Sequence, residues 1–257
     1  MQLKTTRTAG GGTLHYIEPL DRKDVLLFFG RDNFNKSRQF MESLIAAMHR
    51  ENYTVLWYED MATATARLLE DEFERWLPRL EKAWRGRTGF MLRMARKLLK
   101  ALLLLKHPAH WSYFVHDQDA IAARCRQLRR FIRRLGNDRN VFILAHSAGG
   151  RISSLIEDEP AIRKLVCFGY PFRRPGEARD EKRVRHLATL AKPCMIVQGS
   201  RDEYGGREIA QQYRLSPQIS VSFVDADHGY ENLSEADWGA IIASLRNFIE
   251  SGARARQ

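Results

Sequence analysis

One stretch limits what this chain can fold into more than any other: an apolar run that ends at a serine and continues at once into a helix-compatible segment. Residues 141–146 form the run, and Ser147 is followed by small residues. β-branched and aromatic residues in a short run predict a buried strand, and small neighbours let strand and helix approach closely. This arrangement predicts a nucleophile elbow, although Ala145 stands where the strict pattern has glycine. The alternative is an ordinary turn in which Ser147 caps the helix.

Two later strands lead to the other residues that a reactive serine needs. Apolar residues 194–198 end shortly before Asp202, and a run that alternates at period two ends before His228. In a hydrolytic triad the histidine removes the serine proton and a carboxylate orients the histidine, and in one known chain order both follow late strands. The chain therefore predicts a catalytic triad of Ser147, Asp202 and His228. The alternatives are a turn-forming Asp202 and a surface His228, and Asp227 is the second candidate for the acid.

The remaining periodicity predicts strands that alternate with helices. Residues 13–17 resemble an edge strand, residues 24–29 a buried central strand, and residues 53–58 a strand that returns after an amphipathic helix. Such alternation builds mostly parallel sheets with helices on both faces. We therefore expect an α/β fold, with a mostly parallel central sheet flanked by helices, in a single domain that spans residues 1–257.

The loops after the predicted strands indicate where a substrate binds. Gly30 and Arg31 follow the central strand directly, at the position that supplies one main-chain N–H group to an oxyanion hole. The second donor is the residue after the serine. We expect the N–H groups of Ala148 and Arg31 to stabilise the oxyanion. We expect Gly30, Tyr170 and Phe172 to contact the substrate.

Residues 61–116 interrupt the alternation and predict an inserted helical cap. Its second helix, predicted to begin at Phe90 and end at Lys106, has a narrow basic stripe on a broad apolar body. The apolar body is explained either by burial under the first cap helix or by peripheral contact with an anionic membrane surface. No carboxylate or thiolate lies among the nearby histidines, so we expect no metal site. These histidines are His107, His110 and His116.

Much of the formal net charge of +11 lies in this cap and in the helix predicted for residues 121–135. The arginines of that helix stand opposite an apolar stripe, as on an ordinary solvated face. Nucleic acid is the alternative partner. Because no aromatic stacking set or known binding motif accompanies the arginines, we do not expect nucleic-acid binding.

The cysteines and the N-terminal segment bear on the cellular compartment. The chain has three cysteines, an odd number, and they are too far apart for metal-ligand spacing or a secreted disulfide framework. The N-terminal segment lacks the apolar core of a signal peptide, and no uncharged run is long enough to span a bilayer. We expect a cytoplasmic protein.

Several segments together are similar to one family. They are residues 145–151, 169–172, 198–202, 215–217 and 225–228. The set resembles the small bacterial α/β-hydrolases related to Tex30-like proteins and to dienelactone hydrolases. The resemblance implies the α/β-hydrolase fold and a serine triad. It covers the second half of the chain well; in the first half Phe29-Gly30 stands at the family's His-Gly motif, and the cap has no counterpart.

Together these residues predict a serine hydrolase that cleaves a carboxylic ester or thioester through an acyl-enzyme on Ser147. Its partner would be a small-molecule acyl substrate, and the chemistry requires no cofactor. The alternative from another class is a non-catalytic protein of the α/β-hydrolase fold. Such a protein would use its basic cap to bind a partner or an anionic membrane surface.

Overall fold

Eight strands form one sheet at the centre of the molecule. The computed structural model describes residues 3–9, 11–30, 34–49, 52–76, 98, 101–102, 105–108, 120–136, 138–230 and 233–251. The strands are β1 (Lys4–Arg7), β2 (Thr13–Ile17), β3 (Asp24–Phe29), β4 (Tyr53–Glu59), β5 (Asn140–His146), β6 (Ile162–Phe168), β7 (Cys194–Gly199) and β8 (Ile219–Val224). Their order is β1-β2-β4-β3-β5-β6-β7-β8. The pairings β1–β2 and β2–β4 are antiparallel, and all pairings from β4 to β8 are parallel, which confirms the predicted fold class.

The antiparallel edge differs from the prediction in one respect. β2 is not the edge strand, because β1 pairs outside it, with Lys4 opposite Tyr16 and Arg7 opposite Thr13. All four residues of β1 are exposed. A strand that buries no side chain has no apolar alternation, and so β1 carries no periodic signal in the sequence.

Helices cover both faces of the sheet. They are α1 (Phe34–Met48), α2 (Met61–Trp76), α3 (Ala120–Leu135), α4 (Ala148–Ser154), α5 (Glu181–Val184), α6 (Ile209–Gln212) and α7 (Glu235–Glu250), with a 3₁₀ helix at Arg185–Thr189. Alternate residues of β3 face opposite sides: Leu27 packs in the layer that holds α3, and Leu26 in the layer that holds α1 and α7. Each fully buried leucine contributes about 1.5–3 kcal/mol through the hydrophobic effect. The central strand therefore stabilises both layers.

The parallel strands all end at one edge of the sheet, and this carboxyl edge positions the candidate site. Gly30 follows β3, Ser147 follows β5, Gly169 follows β6, and Asp202 and His228 lie in the loops after β7 and β8. In open sheets of this kind ligands bind outside the carboxyl ends of the strands. The sheet topology thus brings together residues that are far apart in the chain.

The predicted cap begins as a helix at the same edge. Asp60, between β4 and α2, accepts the Thr63 N–H at 2.9 Å and so caps α2, and it also accepts Arg124 Nε of α3 at 2.5 Å. This buried ion pair fixes the start of α2 against α3. Leu98, Leu102 and Leu105 are helical and exposed. The rest of the predicted cap after α2, apart from these and a few neighbouring positions, lies outside the described residues.

The arginines of α3 are partly held by carboxylates. Glu159 Oε1 accepts hydrogen bonds from Arg129 and Arg133, each at 2.7 Å, and Asp158 accepts a further one from Arg129. The hydrogen bond from Arg133, together with that from Arg129, lowers the pKa of Glu159. These pairs tie α3 to the loop before β6. Among the described residues no helix is long and apolar enough to cross a bilayer.

Candidate active site

The serine at the end of β5 occupies a strained turn. Ser147 has φ 55° and ψ −124°, a backbone conformation that side chains other than glycine rarely adopt. Its N–H donates to Phe168 O of the neighbouring strand at 2.9 Å, and α4 begins at Ala148. A Cβ at Gly149 would lie 2.6 Å from Phe29 O, so only glycine fits there. The turn therefore has the geometry of a nucleophile elbow.

The side chains of Ser147, His228 and Asp202 form one continuous chain of hydrogen bonds. His228 Nε2 lies 2.8 Å from Ser147 Oγ, and His228 Nδ1 lies 3.0 and 2.9 Å from Asp202 Oδ1 and Oδ2. All three residues are buried. A carboxylate in this position favours the imidazole tautomer with its proton on Nδ1, which leaves Nε2 free to accept the serine proton.

Two further groups hold the carboxylate of Asp202. The side-chain amide of Gln198 donates to Asp202 Oδ2 at 2.9 Å, and the main-chain N–H of Tyr204 donates to Oδ1 at 2.8 Å. Gly169 passes close on the other side: its φ is +53°, and a Cβ there would lie 3.2 Å from His228 Nδ1 and 3.3 Å from Asp202 Oδ2. The acid is thus held by hydrogen bonds and by close packing.

The histidine is supported separately. His146 Nε2 lies 2.9 Å from the main-chain oxygen of His228, and the Tyr204 ring lies over the imidazole with centroids 4.3 Å apart. Tyr230 accepts the Gly169 N–H at 2.8 Å and donates to a main-chain oxygen of β7 at 2.6 Å. Burial raises the pKa of Tyr230, so its hydroxyl keeps the proton that it donates.

Asp227, the second candidate for the acid, has a different role. Its Oδ1 accepts the N–H groups of Gly229 and Tyr230, each at 3.0 Å. These bonds form a turn just after His228. The carboxylate that contacts the imidazole is that of Asp202.

The residues expected at the oxyanion hole and substrate wall fall into three groups. Gly30 lies at the carboxyl end of β3, and Ala148 is the first residue of α4, whose N–H has no partner within the helix. Arg31 lies outside the described residues. Tyr170 and Phe172 are 0% exposed and belong to the core, which corrects the prediction that their side chains contact the substrate.

The burial of Tyr170 and Phe172 has a clear cause. Tyr170 turns its hydroxyl away from the triad, donating to Arg183 O at 3.3 Å and lying 3.4 Å from Ser154 Oγ. Phe172 stacks on Tyr213 with ring centroids 5.6 Å apart. The two rings support the loop after β6 from inside. A position at the end of a strand does not reveal on which side of the loop a side chain lies.

Several supporting residues were not identified as functional from the sequence. Gln198 is a buried polar residue at the end of an apolar strand, which is a signal that could have marked it. Tyr204 and His146 carry no such signal, because surface loops and strand ends often hold these residue types. The described residues include no group of histidine, cysteine or acidic side chains that could hold a metal ion.

Comparisons with known proteins address the fold. Residues 116–248 match the family model of an alpha/beta hydrolase domain. The esterase domain of a Rhodothermus marinus protein is 16% identical, with 97% of this chain and 99% of that chain covered and a TM-score of 0.54. An α/β serine hydrolase without a lid from Xanthomonas campestris is 12% identical, with 99% and 94% covered and a TM-score of 0.52.

A thioesterase domain from the curacin biosynthetic pathway is also similar. It is 12% identical, with 95% of this chain and 99% of that chain covered and a TM-score of 0.55. A comparison with curated protein sequences gives no significant match. At such identities the solved structures agree with the fold alone, whereas the family model matches more than half of the sequence. The protein therefore belongs to the α/β-hydrolase family.

Proposed function

We propose that the protein is a serine hydrolase that cleaves a carboxylic ester or thioester of a small molecule through an acyl-enzyme on Ser147. The observation that carries this proposal is the continuous hydrogen-bond chain from Ser147 through His228 to Asp202. The named activities of the similar structures support it: an esterase, a serine hydrolase and a thioesterase. The alcohol or thiol that leaves is not specified by this chain of residues.

In the first step Ser147 is acylated. His228 Nε2, 2.8 Å from Ser147 Oγ, takes the hydroxyl proton as Oγ forms a bond to the acyl carbon. The N–H groups of Ala148 and Arg31 stabilise the resulting oxyanion, and each such donor lowers the barrier by about 3 kcal/mol. When the oxyanion collapses, the bond to the leaving oxygen or sulfur breaks. His228 then gives its proton to the leaving group.

In the second step water releases the acid. His228 takes a proton from a water molecule, whose oxygen attacks the acyl carbon, and the proton returns to Ser147 Oγ when the acyl bond breaks. Asp202 stabilises the imidazolium that forms in both steps. Because the Asp202 side chain is 0% exposed, water does not screen this interaction at the carboxylate.

The strain at Ser147 favours catalysis over a purely structural role. A non-glycine residue with φ near +55° costs about 1–2 kcal/mol, and this cost is typical of sites where strain serves a reaction. A binding scaffold that uses a basic cap gains nothing from it. The non-catalytic alternative is therefore the weaker one.

Hydrolysis of p-nitrophenyl esters and of an acyl thioester by purified full-length protein tests the proposal. Ser147→Ala is expected to lower kcat/KM by about 1,000-fold or more. Ser200→Ala is the matched control, since Ser200 Oγ only contacts the exposed Asp225, and it should leave kcat/KM unchanged. Full activity in folded Ser147→Ala protein would contradict the proposal.

A further inference from the structure

Three leucines of one helical segment lie exposed on the surface. Leu98, Leu102 and Leu105 have exposed fractions of 61%, 57% and 59%, and Ala101 is exposed as well. Residues at this spacing share one face of a helix, and we call them the leucine face. Among the described residues the other exposed large apolar side chain is Leu20. A contiguous exposed row of large apolar side chains marks an interaction surface.

The sequence around the leucine face is strongly basic. Residues 82–116 contain eight lysines and arginines and no aspartate or glutamate. They are Lys82, Arg85, Arg87, Arg93, Arg96, Lys97, Lys100 and Lys106. This stretch thus accounts for most of the net charge of +11. A partner for this segment has to offer both an apolar medium and negative charge.

We propose that the leucine face binds the surface of an anionic lipid bilayer. The leucines enter the boundary between headgroups and acyl chains, and the basic side chains of residues 82–116 are attracted to the anionic headgroups. The same stretch contains Trp84, Phe90, Trp111, Tyr113 and Phe114. Aromatic residues of this kind are enriched where proteins meet a membrane interface. The proposal does not depend on the catalytic role of Ser147.

Other occupants fit the observations less well. A second copy of the chain would bring two basic stretches together across a two-fold axis, and like charges oppose such a contact. Nucleic acid offers phosphate charge, but it offers no apolar medium for three exposed leucines. An anionic bilayer provides both features at once.

Sedimentation of the full-length protein with lipid vesicles tests this surface. We expect binding to vesicles of mixed phosphatidylcholine and phosphatidylserine at low salt, and no binding to phosphatidylcholine alone. High salt should weaken the binding because it screens the headgroup attraction. Each basic residue of 82–116 that is replaced by glutamine should weaken it by about fivefold.

The leucines are tested by the triple variant Leu98→Gln, Leu102→Gln, Leu105→Gln. We expect about 100-fold weaker partitioning into anionic vesicles, because three partly buried leucine side chains are lost from the lipid. Its thermal unfolding should match that of the natural chain, since the leucines are exposed. Leu20→Gln, at an exposed leucine outside residues 82–116, is the matched control and should bind vesicles normally.

Three results would overturn the proposal. The first is that the natural chain ignores anionic vesicles at low salt. The second is that the folded triple variant binds as tightly as the natural chain. The third is self-association or binding of an RNA oligonucleotide that the triple variant abolishes while vesicle binding persists, since a second copy or a nucleic acid would then occupy the leucine face.

Discussion

Gln198 and Asp202 form the contact on which the position of the acid depends. Gln198 Nε2 donates to Asp202 Oδ2 at 2.9 Å and to Gly205 O at 2.7 Å, while Gln198 Oε1 accepts the Tyr170 N–H at 2.9 Å. The residue is fully buried, so its amide has no water to turn towards. One side chain therefore ties the loop after β6 to the loop that carries Asp202.

Gln198→Glu is expected to lower kcat by about 10- to 100-fold with little change in KM. A second carboxyl group next to Asp202 makes the pair share a proton, and Asp202 then stabilises the imidazolium less well. The acidic limb of the pH–rate profile should move to higher pH. Gln211→Glu, at an exposed glutamine, is the control. An unchanged pH–rate profile in Gln198→Glu would show that Gln198 does not act through Asp202.

The two candidate acids are separated by a pair of substitutions. Asp202→Asn is expected to lower kcat by about 1,000-fold or more, because the imidazole loses its orienting charge. Asp227→Asn should lower it by less than about tenfold, since its oxygen accepts two N–H groups that an amide oxygen can also accept. The measurement is steady-state ester hydrolysis by each folded variant. The reverse order of effects would move the acid role to Asp227.

Gly169→Ala tests the close packing behind the triad. The new methyl group would lie 3.2 Å from His228 Nδ1 and 3.3 Å from Asp202 Oδ2, at a residue with φ +53°. We expect a loss of about 1–2 kcal/mol in the free energy of unfolding and a fall in kcat of about tenfold or more. Gly176→Ala is the control, because Gly176 also has positive φ but no atom within 4 Å of the added Cβ.

The control separates backbone strain from crowding of the triad. Gly176→Ala should lose similar stability and retain full kcat. Equal kcat values for the two variants would indicate that Gly169 does not position His228 and Asp202.

The proximity of Ser147, Asp202 and His228 could be predicted from the sequence. Each residue follows an apolar run, and parallel strands end at the same edge of a sheet, so chain order alone brings the loops together. The sheet itself could be predicted for the same reason, since buried strands such as β3 and β5 have uniform apolar runs.

The sequence did not reveal which side chains face the site. Tyr170 and Phe172 were expected at the substrate and are core residues, because a loop's direction depends on long-range contacts such as that between Phe172 and Tyr213. The supporting role of Tyr204 depends on the path of the loop after β7. Local patterns do not determine such paths.

A buried histidine behind the site predicts pH-dependent stability. His186 Nε2 lies 2.9 Å from Ser154 Oγ, and burial, together with Arg151 and Arg185, lowers the pKa of His186 to about 4. In the unfolded chain the pKa is about 6.5. Between these values the unfolded state binds more protons, so the free energy of unfolding falls as the pH drops from about 6.5 to about 4.

Urea unfolding at several pH values measures this effect. After a discount for partial solvent exposure, His186 should account for about 2 kcal/mol of lost stability at pH near 4. His186→Gln cannot titrate, so the stability difference between natural and substituted chains should change by this amount over the range. Parallel curves for the two proteins would contradict a buried neutral His186.

Reaction with a fluorophosphonate probe tests the central claim most directly. The probe is expected to attach to Ser147 alone, as located by mass spectrometry of the labelled peptide, because only this serine has a base at 2.8 Å and a carboxylate behind it. Labelling should be lost in Ser147→Ala, nearly lost in His228→Ala, and intact in Ser200→Ala. Undiminished labelling of the Ser147→Ala protein, or natural protein that is folded yet inert to the probe, would contradict the account.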